Sequence, residues 1–266
     1  MSGRSPTPRQ HKGAGRRTLI SAHRGGAEDA PLASWEAYLA SVGTAADFVE
    51  LDVRRTADGE LVAHHDPYLG PVPGRPLVRE LSYPRLCDLA GHRVPKVPEV
   101  LDLIAGRARV QLDLKEIGYE RRVIDLAHDR LGRGNVLVST LEEESVRAVK
   151  HDFDDLPVGL ILGRELTGLA RLRWPWVRWG ELRPLRRVRR CGADWVVTHH
   201  ALARAGGLRL CAREGLPVAV WTVNADRMID RMLSDDRVAM VITDRPRFAA
   251  TRRAALTGDP GPGEAP

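Results

Sequence analysis

Glu50-Leu51-Asp52-Val53-Arg54-Arg55-Thr56-Ala57-Asp58-Gly59 decides the fold of this chain, together with His23-Arg24-Gly25-Gly26 before it and His64-His65-Asp66 after it. The runs Thr18 to Ala22 and Phe48 to Val53 are apolar and rich in β-branched residues, which predicts two buried strands ending at these motifs. Residues two apart in a strand share a face, so Glu50 and Asp52 project together. Adjacent carboxylates repel unless a positive charge stands between them. One hard divalent cation, Mg²⁺ or Ca²⁺, takes oxygen ligands of this kind. His23 and His65, on neighbouring strand ends, would supply an acid and a base. The blander alternative pairs Glu50 and Asp52 with Arg54 and Arg24 as solvated charges.

Working outward, strand-like runs recur at Val110 to Leu114, Val136 to Ser139, Val158 to Ile161, Trp195 to Val197, Val218 to Trp221 and Met240 to Ile242, eight in all with the first two. Amphipathic, helix-like runs lie between them at Ser34 to Ser41, Val97 to Ala105, Tyr119 to Leu131, Glu142 to His151, Leu202 to Glu214 and Asp226 to Leu233, and Arg247 to Leu256 closes the series. This alternation permits either a closed (β/α)8 TIM barrel or an open doubly wound sheet. Asp58-Gly59 reads as a turn joining short strands ahead of His65. Residues 164–190 read as an insertion, too long for a simple connection.

At 266 residues the chain is close to the ~250 typical of such a barrel. Its formal charge of +6 is uneven: Arg4, Arg9, Lys12, Arg16 and Arg17 fall in a Gly/Pro/Ser-rich segment without an acid, and nine arginines lie between Arg164 and Arg190. Residues 1–17 are expected to be a disordered basic tail and 257–266 a second disordered tail around the folded body 18–256. No nucleic-acid reading motif accompanies the basic excess, so no nucleic-acid partner is expected. Cys87, Cys191 and Cys211 are odd in number and widely spaced, which reads as reduced thiols. No apolar run reaches the ~18 residues of a membrane span and the N-terminal segment lacks a signal-peptide core, so a cytoplasmic protein is expected.

The order His-Arg-Gly, Glu-Leu-Asp-Val, Thr-x-Asp-Gly and His-Asp resembles the glycerophosphodiester phosphodiesterase family. The likeness continues through Val110-Gln111-Leu112-Asp113-Leu114-Lys115, Val220-Trp221-Thr222-Val223-Asn224 and Ile242-Thr243-Asp244-Arg245-Pro246, and so covers roughly residues 18 to 250. The resemblance implies the closed barrel, with the site at the C-terminal strand ends. It implies Glu50, Asp52 and Asp113 as metal ligands and His23 and His65 as the catalytic pair. Arg24 and Lys115 would bind phosphate oxygens, and Trp221 would flank the glycerol carbons. Asn224 is read as capping the helix that follows it. His64 should turn away from the side His65 faces. The implied activity is hydrolysis of glycerophosphodiesters to glycerol 3-phosphate and an alcohol, through attack by the glycerol 2-hydroxyl and opening of a cyclic intermediate. Two other readings stay open: a lysophospholipase D for acylated relatives, and a phosphodiester-binding protein on a weakened enzyme scaffold.

The chain departs from the family in three places. Asp113 stands where a glutamate is usual. The family's Pro-Glu-Asn-Thr is replaced by Ala27-Glu28-Asp29-Ala30-Pro31-Leu32-Ala33-Ser34, in which either Glu28-Asp29 stands for Glu-Asn or Pro31 aligns and both polar residues are lost. The third is the insertion, where Trp174, Trp176 and Trp179 precede Arg183, Arg186, Arg187, Arg189 and Arg190. It reads as a lid over the mouth, as an ordinary helix, or as peripheral membrane contact through 174–190.

Overall fold

A computed structural model describes residues 17–69, 76–163 and 184–257. Nine strands form one sheet: β1 (Leu19–Ala22), β2 (Phe48–Arg55), β3 (Leu61–Ala63), β4 (Arg109–Leu114), β5 (Val136–Thr140), β6 (Val158–Leu162), β7 (Trp195–His199), β8 (Val218–Trp221) and β9 (Val238–Thr243). Their order is β1-β9-β8-β7-β6-β5-β4-β2, and β1 pairs with β2 to close a ring of parallel strands. β3 pairs antiparallel with the end of β2, the hairpin predicted at Asp58-Gly59. The closed barrel, rather than the open sheet, is the architecture.

Two apolar layers hold it. Phe48, Leu137, Ile161, Val197, Ala219, Met240 and Ile242 fill the inside of the ring. A larger cluster, including Val49, Leu51, Val110, Leu112, Leu160 and Val220, packs between strands and helices. The two sets alternate along most of the barrel strands, which are buried on both faces and read as near-continuous apolar runs, broken on the inward faces of β2 and β4 by Glu50, Asp52, Gln111 and Asp113. Each side chain fully withdrawn from water contributes roughly 1.5–3 kcal/mol. Cys191 and Cys211 are buried free thiols within the outer layer, and Cys87 is a partly buried one.

The helices are α1 (Trp35–Ser41), α2 (Tyr83–Ala90), α3 (Val97–Ile104), α4 (Glu120–Leu131), α5 (Glu143–Asp152), α6 (Pro184–Cys191), α7 (Leu208–Arg213), α8 (Asp226–Ser234) and α9 (Pro246–Thr257), with a single helical turn at His200–Leu202. Ser34 starts α1, its hydroxyl accepting from Ala37 N at 3.1 Å. α2 has no counterpart in the sequence reading; it buries Leu86 with Val62, Val78 and Val94 beneath the β2–β3 hairpin. The helix expected over Leu202 to Glu214 is broken, because Gly206 takes φ 127 within a wide turn at Ala203–Gly207 and only the second half, α7, is regular.

The expected insertion is shorter than predicted. Pro184–Cys191 forms the barrel helix α6, with Val188 and Cys191 buried, and Arg187 and Arg190 reach Glu143 at 2.8 and 2.6 Å. The membrane-contact and lid readings therefore rest on residues 164–183, which lie outside the described residues, as do residues 1–16 and 258–266 of the two expected tails. Among the described residues no helix is long and apolar enough to cross a membrane.

At the foot of the barrel Asp47 gathers Arg17 at 2.9 Å, Ile20 N at 2.9 Å and the buried Arg253 of α9. Arg253 also donates to the carbonyls of Thr18 and Ala45, both at 3.1 Å, and so ties the last helix to the first strand.

Candidate functional site

Alternation continues the inward face upward from Phe48 through Glu50 to Asp52, and from Arg109 through Gln111 to Asp113. Strand register sets Asp52 opposite Asp113 and Glu50 opposite Gln111, one layer lower. Glu50 starts lower on β2, and its longer side chain still brings a carboxylate oxygen to the cluster. The three residues bring carboxylate oxygens within 4.8 Å of one another, all buried. Aspartate at 113 thus reaches the cluster despite its length.

The polypeptide around these carboxylates is tightly constrained. Arg24 occupies the left-handed region at φ 49, and Gly25 and Gly26 follow at φ 84 and 92. A side chain on Gly25 would lie 2.7 Å from the Ala37 backbone, so only glycine fits. This turn aims the Arg24 N–H at Glu50 Oε2, 2.8 Å away, and brings Arg24 Nε within 2.9 Å of Asp52 Oδ2. From the other side Lys115 Nζ lies 2.8 Å from Asp52 Oδ1 and 2.5 Å from Asp113 Oδ2. The Tyr119 hydroxyl fixes the Lys115 loop by accepting from the Lys115 and Glu116 N–H groups at 3.0 and 3.1 Å and donating to the Val53 carbonyl at 2.6 Å.

Burial opposes ionisation at all three carboxylates, with different outcomes. At Asp52 the Lys115 and Arg24 charges overcome it and hold the group well below the usual carboxylate range. At Glu50 burial, reinforced by Asp52 and Asp113, pushes the pKa well up, and Asp113 is raised chiefly by burial as well. Burial works against the Lys115 charge, but Asp113, Asp52 and Glu50 together raise its pKa. Neither Asp52 oxygen receives an aligned hydrogen bond despite its charged neighbours, and Asp113 Oδ1 has no donor. Buried oxygen lone pairs left unused on three converging carboxylates suit a hard divalent cation.

Both predicted histidines border this cluster. His23 Nδ1 lies 2.6 Å from Asp244 Oδ1. His65 Nδ1 lies 2.8 Å from Asp66 Oδ1, and Arg54 fixes the backbone there by donating to the His65 carbonyl at 3.0 and 2.8 Å. Arg54 therefore holds the His65 loop and Glu116 rather than Glu50, and the solvated-charge alternative for that pair fails. Burial first, then the Lys115 charge, lowers the His65 pKa against the pull of Asp52 and Asp66. His64 instead engages the Tyr68 carbonyl at 3.2 Å.

Asn224 does not cap the next helix, whose N-cap is Ala225 and has no side-chain bond. Its amide nitrogen donates to Asp244 Oδ2 at 2.5 Å, and its oxygen accepts from Asp244 N at 3.0 Å and Thr243 Oγ1 at 3.2 Å. The sequence reading carried Asp244 within a motif of the resemblance and gave it no role. Glu28 and Asp29 support no carboxylate of the cluster: Glu28 accepts the Arg247 and Phe248 N–H groups at the start of α9, and Asp29 pairs with Arg247 at 2.6 Å. Trp221 stands at the mouth end of β8, its indole Nε1 buried without an acceptor among the described residues.

Residues 23–248 match the model of the Glycerophosphoryl diester phosphodiesterase family. A glycerophosphodiester phosphodiesterase of Caldanaerobacter subterraneus subsp. tengcongensis is 25% identical over 247 residues, covering 86% of this chain and 95% of that one. A putative glycerophosphoryl diester phosphodiesterase of Agrobacterium tumefaciens superposes with a TM-score of 0.74 at 19% identity, over 91% of this chain and 99% of that one. An Oleispira antarctica phosphodiesterase, solved with the product sn-glycerol-3-phosphate, gives 0.69 at 18% identity, over 89% and 96%.

Proposed function

Because the chain belongs to the Glycerophosphoryl diester phosphodiesterase family, we propose that it hydrolyses glycerophosphodiesters to glycerol 3-phosphate and an alcohol with the help of one divalent cation, Mg²⁺ or Ca²⁺. The observation that carries this reading is the buried Glu50, Asp52 and Asp113 cluster, with Arg24 and Lys115 against its carboxylates and two carboxylate-backed histidines, His23 and His65, in the same strand-end set. Glu50, Asp52 and Asp113 would hold the cation, which when bound would supply charge neutralisation at the phosphate and a lowered pKa for the attacking hydroxyl.

The chain's own residues do the rest. Arg24 offers a planar fork and Lys115 a point charge to the non-bridging phosphate oxygens. Asp244 keeps the His23 proton on Nδ1, so that Nε2 takes the proton of the glycerol 2-hydroxyl as it attacks phosphorus. His65, whose Nδ1 is backed by Asp66, protonates the departing alcohol. In the second step the roles reverse and water opens the cyclic phosphodiester. Trp221 flanks the glycerol carbons with its apolar face.

The test is turnover of glycerophosphocholine, glycerophosphoethanolamine and lysophosphatidylcholine by purified protein with Mg²⁺, Ca²⁺ or EDTA. Release of glycerol 3-phosphate from the first two, lost in EDTA and restored by one cation, is the expected result. Turnover of lysophosphatidylcholine alone would make the protein a lysophospholipase D. Phosphodiester binding without turnover under every condition would sink the hydrolytic reading.

A further inference from the structure

The ends of β1 and β9, which carry His23 and Asp244, are joined on both sides of that pair. Below it, Ala22 pairs with Thr243 in the parallel register of the two strands. Beyond it, the Ala27 N–H donates to the Asp244 carbonyl at 2.6 Å. Glu28 then accepts from the Arg247 and Phe248 N–H groups at 2.8 and 3.0 Å, one on each carboxylate oxygen. Between these links Gly26 runs at φ 92 so close to α9 that a side chain on it would lie 2.8 Å from the Pro246 ring. The bond from His23 Nδ1 to Asp244 Oδ1 is thus enclosed within a seam whose outer fastening is Glu28.

The sequence at the start of α9 explains why that fastening is needed. The first turn of a helix leaves N–H groups that no helical carbonyl can take. Arg245 accepts the first bond of α9, from Ala249 N at 2.9 Å, and so stands at the N-cap. A serine or aspartate there would accept from the second and third N–H groups itself. Arginine has only donors, and this one turns to the Asn224 carbonyl at 2.9 Å and to Asp226. Pro246 has no N–H to satisfy. The two N–H groups that remain are the ones Glu28 takes, and its charge suits the positive end of the helix. This cap comes from 219 residues away, so it fastens a loop as well as a helix. The adjacent Asp29 and Arg247 pair is exposed on both sides and adds little.

Resting on the hydrolytic reading above, we propose that Glu28 is a positioning residue for His23: by capping α9 across the seam between β1 and β9, it holds Asp244 against His23 Nδ1. Its hydrogen bonds reach none of Glu50, Asp52 and Asp113, and it acts only through the pair. The segment that departs from the family's Pro-Glu-Asn-Thr therefore serves the histidine side of the site and not the carboxylate cluster.

Glu28→Ala removes both acceptors, whereas Glu28→Gln keeps one. On glycerophosphocholine, kcat should fall roughly three- to tenfold in Glu28→Ala, the share of one helix cap, and less in Glu28→Gln, with Mg²⁺ affinity in a calorimetric titration unchanged. In an Asp244→Asn background Glu28→Ala should lower kcat no further, because the pair it serves is already broken; a merely structural cap would multiply the two losses. Protein labelled with ¹⁵N-histidine gives a readout apart from turnover: the His23 Nδ1–H should exchange with water faster in Glu28→Ala and recover part way in Glu28→Gln. Asp29→Asn should match the wild type in each measurement. Unchanged His23 exchange, a kcat within threefold of wild type, multiplied losses in the double variant, weakened Mg²⁺ binding in Glu28→Ala, or an equal effect of Asp29→Asn each overturns the assignment. Should Glu28→Ala not fold, Glu28→Gln carries the same comparisons. If the wild type turns over no diester, the hydrolytic reading fails while the His23 exchange still decides Glu28.

Discussion

Replacing Asp244 by asparagine tests the His23 pair without changing its shape. The Asn224 amide is locked, because its oxygen already accepts from Asp244 N and Thr243 Oγ1 at 3.0 and 3.2 Å, so its nitrogen must remain the donor towards position 244. An asparagine there has one oxygen and one NH₂ to divide between two neighbours. If its oxygen faces Asn224, its NH₂ meets His23 Nδ1 and drives the ring proton to Nε2, which removes the base and costs up to about 10⁴ in rate. If its oxygen faces His23, two N–H donors oppose each other in a half-buried site. The imidazolium then also loses its charged partner, a charge-assisted bond worth about 1.5–3 kcal/mol, or roughly 10- to 150-fold. Asp244→Asn should therefore lower kcat on glycerophosphocholine by at least about tenfold, with Mg²⁺ affinity and melting temperature close to wild type. A kcat within threefold of wild type at every pH would refute the orienting role of Asp244.

Four further outcomes follow from the geometry. Glu50→Asp, too short to reach from the lower layer, should weaken Mg²⁺ binding in a calorimetric titration far more than Asp113→Glu, which adds length at the upper layer; the reverse ranking would mean the layers are misassigned. His65→Ala should reduce turnover by roughly 10² to 10⁴, whereas His64→Ala, which loses only the Tyr68 contact, should stay within a few-fold. Burial lowers the folded-state pKa of His64, His65, His128 and His200 below the ordinary 6.5, so the unfolded chain binds more protons in that window and stability should fall as pH drops below about 6.5; urea midpoints flat from pH 7.5 to 5.5 would contradict this. Arg253→Ala removes the buried partner of Asp47 at the foot of the barrel and should cost about 3 kcal/mol, or roughly 6–12 °C in Tm, with kcat at 25 °C unaffected; a Tm within 2 °C of wild type would show that Arg17, Arg109 and the Ile20 N–H suffice.

Legibility from sequence followed the range of the interactions. The barrel strands were readable because burial on both faces leaves an apolar run that needs no partner to be recognised. Glu50 and Asp52 were readable because period two is a local rule. Asn224 was misread for the same reason: the capping rule looks forward along the chain, while its actual partner, Asp244, arrives from the next strand. Glu28 and Asp29 were judged against the carboxylate cluster, yet their contacts are with Arg247 and Phe248, more than two hundred residues later. α2 was missed because Pro84 in its first turn and Pro95 beyond it make the segment resemble a loop, and its single fully buried leucine leaves little periodicity. The helix over Leu202 to Glu214 was drawn through Gly206 and Gly207, where apolar spacing persists but the backbone does not. Lys115 was seen as a phosphate ligand, but its bridge between Asp52 and Asp113 depends on strand register that no single segment contains.

The bond between His23 and Asp244 joins residues 221 apart in sequence. A chain leaving the ribosome therefore carries His23, Glu50 and Asp52 long before the carboxylate that backs His23 has been made. β1 cannot pair with β9, nor Arg253 reach Asp47, until β9 and α9 have emerged, so ring closure waits on these two elements. Long-range closure of this kind is slow and leaves strand edges exposed meanwhile. The proposed site is thus complete only once the ring has closed, and appearance of turnover during refolding would serve as a clock for that closure.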